Sequence, residues 1–214
     1  AVNTAGKTYF AKTVVVSTGA DPNELGVKNE REYIGKGIHY CAHCDGRFYK
    51  DKTVMVVGGG NTAVADALFL ARFAKKVYVV HRRDTFRAEK ILVDPLLHAK
   101  NVEVLWNSVP VEFTAEERIS GALIKNIVTN QEIKVPVDGV FVSIGRKPVT
   151  YFLEGSVSLD DKGYIIADET CRSSVDGVYA VGDVRTKPLR QIVTAAADGA
   201  VAVHFAVEYL AEHN

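Results

Sequence analysis

Six residues, Cys41-Ala42-His43-Cys44-Asp45-Gly46, stand just ahead of a strand-like run, Thr53 to Val57. That run opens into Gly58-Gly59-Gly60-Asn61-Thr62-Ala63. A dithiol pair and a glycine-rich turn thus share one short stretch, and no other feature narrows the possible folds as much. Gly58-x-Gly60-x-x-Ala63, after a strand and before a helical pattern, reads as a dinucleotide-binding turn. Gly58 permits the tight bend, Gly60 lets the backbone approach a pyrophosphate, and Ala63 keeps the helix near the sheet. The helix start then offers phosphate its free N–H groups and the positive end of its dipole. Asn61 or Thr62 is expected to cap that start. A glycine turn with no ligand is the plainer alternative.

The flanking segments read as an α/β frame. Thr8 to Ser17 reads as a strand or half of a hairpin, and its Val14-Val15-Val16 run suggests burial on both faces. Residues 24–40 look irregular and are expected to cross between domains. A helix is expected over Asn61 to Phe73, with Val64, Leu68 and Ala71 along one face. A strand follows at Val77 to Val80, then a helix over Arg87 to Ala99 broken or offset at Pro95, then a strand at Val102 to Trp106. This β-α-β-α-β series implies a parallel sheet with right-handed crossovers. Short alternating runs between Val109 and Val135 suggest an antiparallel meander. Val140 to Ile144 and Val178 to Val181 are further buried strands. Ile192 to Leu210 is an apolar helix with Ala196, Ala200, Val203 and Val207 stepping along it.

The strand after the glycine turn ends at His81-Arg82-Arg83. An NAD site usually places an acid there for the ribose 2′-hydroxyl, whereas arginines suit a 2′-phosphate. Arg87 lies four residues past Arg83, so the pattern favours NADPH; a solvated basic turn is the alternative. Cys41-x-x-Cys44 has two readings. As a redox pair it opens and closes a disulfide around one reactive thiolate. As half of a zinc site it needs two more ligands; His39 and His43 are near, but no second Cys-x-x-Cys exists. Asp45 is placed to carry a proton to or from a leaving thiolate, or simply to form the Asp45-Gly46 turn. His43 reads as a spacer and Cys171 as a bystander. Asp183, at the C-terminal end of its strand, is a ligand contact or a cap.

Composition sets limits. The chain has 214 residues, 47% of them hydrophobic, with 26 Lys+Arg against 26 Asp+Glu. The zero net charge gives no general attraction to nucleic acid or membranes. No apolar run is expected to reach the ~20 residues of a membrane span. The polar start, Ala1-Val2-Asn3-Thr4, does not read as a secretion signal. Three cysteines do not make a secreted disulfide framework, so a reducing, cytoplasmic setting is expected.

Together these motifs resemble the bacterial-type, low-molecular-weight thioredoxin reductases: STGA at 17–20, CAHCDG at 41–46, GGGNTA at 58–63, HRRDTFRAEK at 81–90, SIG at 143–145, GVYAVGDV at 177–184 and RQIVTAAADG at 190–199. The dithiol just before the glycine turn is the most diagnostic of them. The resemblance implies a Rossmann-like, three-layer ββα nucleotide domain at 24–144 carrying the Cys-x-x-Cys. It implies an incomplete FAD-binding domain made of 1–23 and 145–214. Cys41 and Cys44 would form the redox disulfide, with Cys41 attacking the protein substrate and Cys44 beside the flavin, and Asp45 the acid/base. Gly58, Gly60, Asn61, Thr62 and Ala63 would surround the pyrophosphate, and His81, Arg82, Arg83 and Arg87 the 2′-phosphate end. Thr18, Gly19, Ile144, Gly145, Gly182, Asp183, Arg190, Gln191 and Ile192 would complete the cofactor contacts with NADPH and FAD. The family works as a homodimer on thioredoxin or a similar dithiol protein.

One departure from the family stands out. Its opening Gly-rich fingerprint for FAD does not precede Thr18, so the chain is expected to be a piece of a longer enzyme with an incomplete FAD site. The apolar faces of 10–16 and 178–210 should then be exposed. Rival readings are a flavoprotein reductase serving a peroxiredoxin, a non-catalytic NADPH-binding redox sensor, and a zinc-stabilised domain.

Overall fold

Thr53–Val57 is buried on both faces, as a central strand of a parallel sheet must be. The computed structural model describes residues 1–213. In chain order the strands and helices are β1 (Val2–Asn3), β2 (Thr8–Tyr9), β3 (Val14–Val16), β4 (Ala20–Pro22), β5 (Ile38–His39), α1 (Ala42–Asp45), β6 (Thr53–Val57), α2 (Asn61–Ala71), β7 (Lys76–Val80), α3 (Lys90–His98), β8 (Val102–Leu105), β9 (Ser108–Ala115), β10 (Ile119–Asn126), β11 (Glu132–Pro136), β12 (Gly139–Val142), β13 (Arg146–Pro148), β14 (Val178–Ala180) and α4 (Ile192–Glu212). They form two compact units. One is residues 22–145; the other is residues 1–21 together with those from Arg146 onward.

In the 22–145 unit, a five-stranded sheet runs in the order β5-β12-β6-β7-β8. Its neighbours pair in parallel, with Val140 opposite both Ile38 and Met55. Alternate residues of β6 serve two cores. Met55 and Val57 pack with Phe113, Ala122 and Ile124 of the antiparallel sheet β11-β10-β9. Val54 and Val56 pack with Ala63, Val64, Ala67 and Leu70 of α2. The result is three layers: meander, parallel sheet, helices. Each fully buried valine of β6 contributes ~1.5–3 kcal/mol of transfer free energy.

Two local expectations are corrected here. Residues 24–40 are not a bare crossing, because they supply β5 and a short 3₁₀ turn, Glu30–Tyr33. Buried Glu30 holds this stretch down by accepting the N–H groups of Leu25 and Gly26 and the hydroxyl of Tyr40. Helix α3 continues through Pro95 instead of breaking. Proline removes the hydrogen bond to the carbonyl of Ile91, and Ile91 is 77% exposed, on the side where water replaces that bond.

In the other unit, β1 and β2 form an antiparallel hairpin, β3 pairs with β14 in parallel, and β4 lies beside β13. Val16, Ile165, Ala180 and Val184 make one small core, and Cys171, Tyr179, Val181, Ala202 and Ala206 another. The Val14–Val16 run is not buried on both faces; Val16 is buried while Val15 is exposed. In α4 the buried residues are Ala202 and Ala206. The stripe of Ala196, Ala200, Val203 and Val207 lies on the open side. The expected exposure of apolar faces is found in part: Phe10, Ile192, Val193, Val203 and Val207 are exposed, whereas Val16, Tyr179, Ala180, Val181 and Val184 are buried. Contrary to expectation, α4 has the length and composition of a membrane span. It also carries Asp198, which pairs with Arg185 (3.1 Å) and Lys187 (2.7 Å) in a nearly buried cluster.

Candidate active site: a disulfide and a nucleotide-binding turn

Cys41 and Cys44 are joined in a disulfide, with Cα atoms 5.3 Å apart. Cys41 is the N-cap of α1, a single helical turn, and Cys44 lies within that turn. The Cys41 Sγ accepts the N–H of Cys44 at 3.1 Å. Asp45 closes the turn, donating its N–H to the carbonyl of Cys41. The Asp45 carboxylate lies 3.2 Å from Nδ1 of His39, and Nε2 of His39 lies 2.7 Å from the hydroxyl of Tyr49. The His39 ring is buried, stacked on Phe141 and met by the edge of Tyr49. Burial lowers the His39 pKa, and Asp45 only partly opposes this. The ring is therefore neutral near pH 7, and the acceptor carboxylate of Asp45 facing Nδ1 favours the tautomer in which Nδ1–H donates to Asp45 and Nε2 accepts from Tyr49.

His43, the spacer between the cysteines, stacks on Phe69 of α2 at 4.4 Å. Its Nδ1 lies 3.7 Å from the carboxylate of buried Asp66. Asp66 in turn accepts the hydroxyl of Ser143 at 2.6 Å. These contacts fasten the dithiol turn to α2. Sequence reasoning placed neither Asp66 nor Tyr49 at the site, and it raised His39 only as a metal ligand. Each owes its position to a partner on another element. The one available signal was the proximity of His39 and Tyr49 to the Cys-x-x-Cys.

The glycine turn follows β6. Gly58 has φ +147°, and a Cβ there would sit 2.4 Å from the Ser143 carbonyl and 2.8 Å from Ala63. A Cβ on Gly59 would strike the His81 imidazole at 2.2 Å. At Gly60 nothing lies within 4 Å of the Cβ position, so the start of α2 is sterically open. The expected side-chain cap is absent: Gly60 is the N-cap and caps nothing through a side chain. Thr62 is exposed. Asn61 is engaged elsewhere, accepting the N–H of Glu89 (2.8 Å) and donating to its carboxylate (3.0 Å). The N–H of Arg87 also donates to the Gly59 carbonyl at 2.8 Å. The basic loop is thereby tied to the glycine turn. Arg82, Arg83 and Arg87 are exposed, and among the described residues none of them is in an ion pair. His81 is buried beneath Gly59, stacked on Phe86 and bonded to the Thr85 carbonyl, with its pKa lowered by burial.

The remaining candidate residues divide between the units. Ile144 and Gly145 end the 22–145 unit, where the Ile144 carbonyl accepts from Asn23. In the other unit, Thr18 donates to the Val149 carbonyl and Gly19 accepts the Val149 N–H. Gly182 donates its N–H to Asp198. The Asp183 carboxylate lies 3.9 Å from Arg146, and its carbonyl accepts from Arg190, whose guanidinium covers Tyr164 at 4.0 Å. Gln191 is the N-cap of α4, its N–H donating to the Thr194 hydroxyl at 3.1 Å, and Ile192 is 91% exposed. Nearby Arg185 carries a buried Nε with no hydrogen-bond partner among the described residues.

The family profile for pyridine nucleotide-disulphide oxidoreductases matches residues 1–199. A thioredoxin reductase of Listeria monocytogenes serovar 1/2a is 42% identical over 212 residues, covering 99% of this chain. The crystal structure of the thioredoxin reductase from Streptococcus pyogenes is similar with a TM-score of 0.92 at 44% identity, over 98% of this chain and 69% of that one. The chain belongs to the thioredoxin reductase family. The thioredoxin reductase of Giardia duodenalis is similar too, with a TM-score of 0.85 at 35% identity, over 93% of this chain and 66% of that one. The chain spans 66% of the length of the Listeria relative, just under two thirds. Membership of the thioredoxin reductase family accords with the redox reading of Cys41–Cys44. Among the described residues, no group of three or more His, Cys, Asp or Glu is arranged to hold a metal ion.

Proposed function

We propose that this chain serves an NADPH-dependent flavoprotein disulfide reductase, delivering electrons through Cys41–Cys44 to thioredoxin or a similar dithiol protein. One observation carries the reading: a disulfide and a phosphate-ready glycine turn share one folded unit, and that turn holds a loop of three exposed arginines. The open backbone at Gly60 and the uncapped N–H groups of α2 would take the pyrophosphate, with Asn61, Thr62 and Ala63 around it. Arg82, Arg83 and Arg87 would take the 2′-phosphate, with His81 supporting the turn from beneath. Asp183, Arg190, Ile192 and the unpartnered Arg185 Nε fit one flank of an FAD site; Thr18, Gly19, Ile144, Gly145, Gly182 and Gln191 would act mainly through backbone. When bound, FAD supplies the two-electron relay between nicotinamide and disulfide.

Once reduced, Cys41 is the better nucleophile, because the Cys44 N–H that donates to its sulfur favours the charged form. Its thiolate attacks the partner disulfide, and Cys44 then displaces the mixed disulfide, reforming Cys41–Cys44 and releasing the partner dithiol. Asp45 exchanges the proton. A homodimer in the cytoplasm, where NADPH is regenerated, completes the proposal.

The test uses the protein with added FAD, NADPH and oxidised thioredoxin. Cys44→Ser should abolish thioredoxin-dependent NADPH oxidation and leave NADPH binding intact; unchanged turnover would overturn the redox role. A colourless protein that binds NADPH, with a disulfide NADPH never reduces, would instead be a redox sensor.

A further inference from the structure

Asp45 is held by more than the dithiol turn. His39 arrives from β5 and bridges two groups that follow the cysteines: the Asp45 carboxylate at 3.2 Å and the Tyr49 hydroxyl at 2.7 Å. We propose that His39 is a positioning residue for disulfide exchange, orienting Asp45 and steadying its carboxylate through a Tyr49–His39–Asp45 hydrogen-bond chain. The proposal rests on the disulfide reductase reading and deepens it.

The geometry gives the chain one direction. Both nitrogens of His39 are occupied, and the ring is fixed between Phe141 and Tyr49. Three groups face it with charge or a labile proton: Asp45 from α1, Tyr49 from the turn after it, and Arg118 from the connection between β9 and β10. Arg118 hydrogen-bonds Tyr49 and adds to the forces that keep His39 uncharged, while Asp138 acts on Tyr49 from beyond. A neutral ring whose acceptor is filled by Tyr49 must carry its hydrogen on Nδ1, aimed at Asp45. That N–H strengthens whenever the carboxylate is charged and weakens when it is protonated.

The reduced dithiol gives two electrons to the partner disulfide and is itself oxidised. The partner S–S bond breaks as Cys41 bonds to one of its sulfurs, and the Cys41–Cys44 bond forms as the second partner thiol leaves. The two protons of Cys41 and Cys44 end on the two partner thiols. Asp45 takes one proton as Cys44 attacks and hands it to the leaving sulfur; His39 holds Asp45 in line throughout. The plainer alternative is a histidine buried only for packing.

The two readings differ in how they depend on the leaving group. A basic alkyl thiol needs a proton to leave, whereas an aromatic thiolate of low pKa does not. The test follows the reduced Cys41/Cys44 pair of the whole chain as it is oxidised by glutathione disulfide and by 5,5′-dithiobis(2-nitrobenzoic acid). His39→Gln should slow the glutathione reaction ~10-fold at pH 7 and leave the aromatic one within about twofold, a fraction of what full general acid–base catalysis supplies. Tyr49→Phe, which keeps the ring, should show the same selective loss at ~3-fold. His39→Asn, whose amide N–H falls near the place of Nδ1, should recover part of the glutathione rate. Equal slowing with both oxidants, or slowing with neither, overturns the proposal. A wild-type dithiol inert to both overturns the reductase reading along with it.

Discussion

Asp66 shows what a single residue costs this fold. Its side chain is nearly buried, and that burial pushes its carboxyl above the ordinary aspartate range, with the Ser143 hydroxyl and His43 opposing. A carboxyl whose folded pKa exceeds its unfolded one gives stability that is complete below the unfolded value. That stability is lost as pH rises through the folded value. Asp66→Asn should therefore melt a few degrees higher than the native chain at about pH 7, with the difference vanishing toward about pH 4. Melting curves across that range check it. Asp66 also shows the limit of reading residues from sequence. Cys41, Cys44, Gly58 and the arginine run were legible as candidates because their pattern lies in local spacing. Asp66, His39 and Tyr49 were not, because their roles come from contacts that only the tertiary fold creates. His39 sits in a two-residue strand too short for any periodicity, and that strand pairs with β12, a hundred residues further along.

Between residue and molecule, the decisive element is the start of α2. It is left without a side-chain cap while Asn61 reaches across to Glu89. The trade turns a capping residue into a brace for the basic loop. Asn61→Ala should loosen that loop and weaken NADPH binding ~5-fold, as loss of two side-chain hydrogen bonds of ~1 kcal/mol each, partly compensated, would do. NADH shares the pyrophosphate but has no 2′-phosphate, so it should weaken less than NADPH; equal losses for the two nucleotides would contradict the brace. In the proposed site, Arg82→Ala with Arg83→Ala should weaken NADPH at least ~10-fold and NADH far less, since charge-assisted contacts to phosphate are the strong ones. Titration of both nucleotides reads both variants. The sequence placed α2 well and its cap wrongly, because capping preference cannot see a partner 28 residues away. It likewise expected a break or offset in α3 at Pro95, where solvent on the Ile91 side makes the lost bond tolerable.

The whole chain comprises two units with different reserves of stability. The 22–145 unit closes two continuous cores around one sheet. The other relies on small clusters and on Asp198, whose burial would raise its carboxyl but which Lys187, the Gly182 N–H and Arg185 hold below the usual range. This contribution is present above the unfolded carboxyl pKa and is lost as pH falls through the lower folded one. Asp198→Asn leaves two cations nearly buried without their partner and should destabilise its own unit by ~3–5 kcal/mol. Calorimetry should show one transition moving and that of the 22–145 unit staying in place. Apolar patterning gave the sequence its α4 stripe correctly, but patterning alone could not tell a covered stripe from an open one. The chain leaves the smaller unit after Asp21 and returns at Arg146, and the strands at those two points, β4 and β13, are neighbours. A stretch whose two ends are stitched side by side behaves as a cassette. Recombination at those seams would move sulfur pair, glycine turn and arginines together as a single inheritable parcel, with no need to re-evolve their spacing.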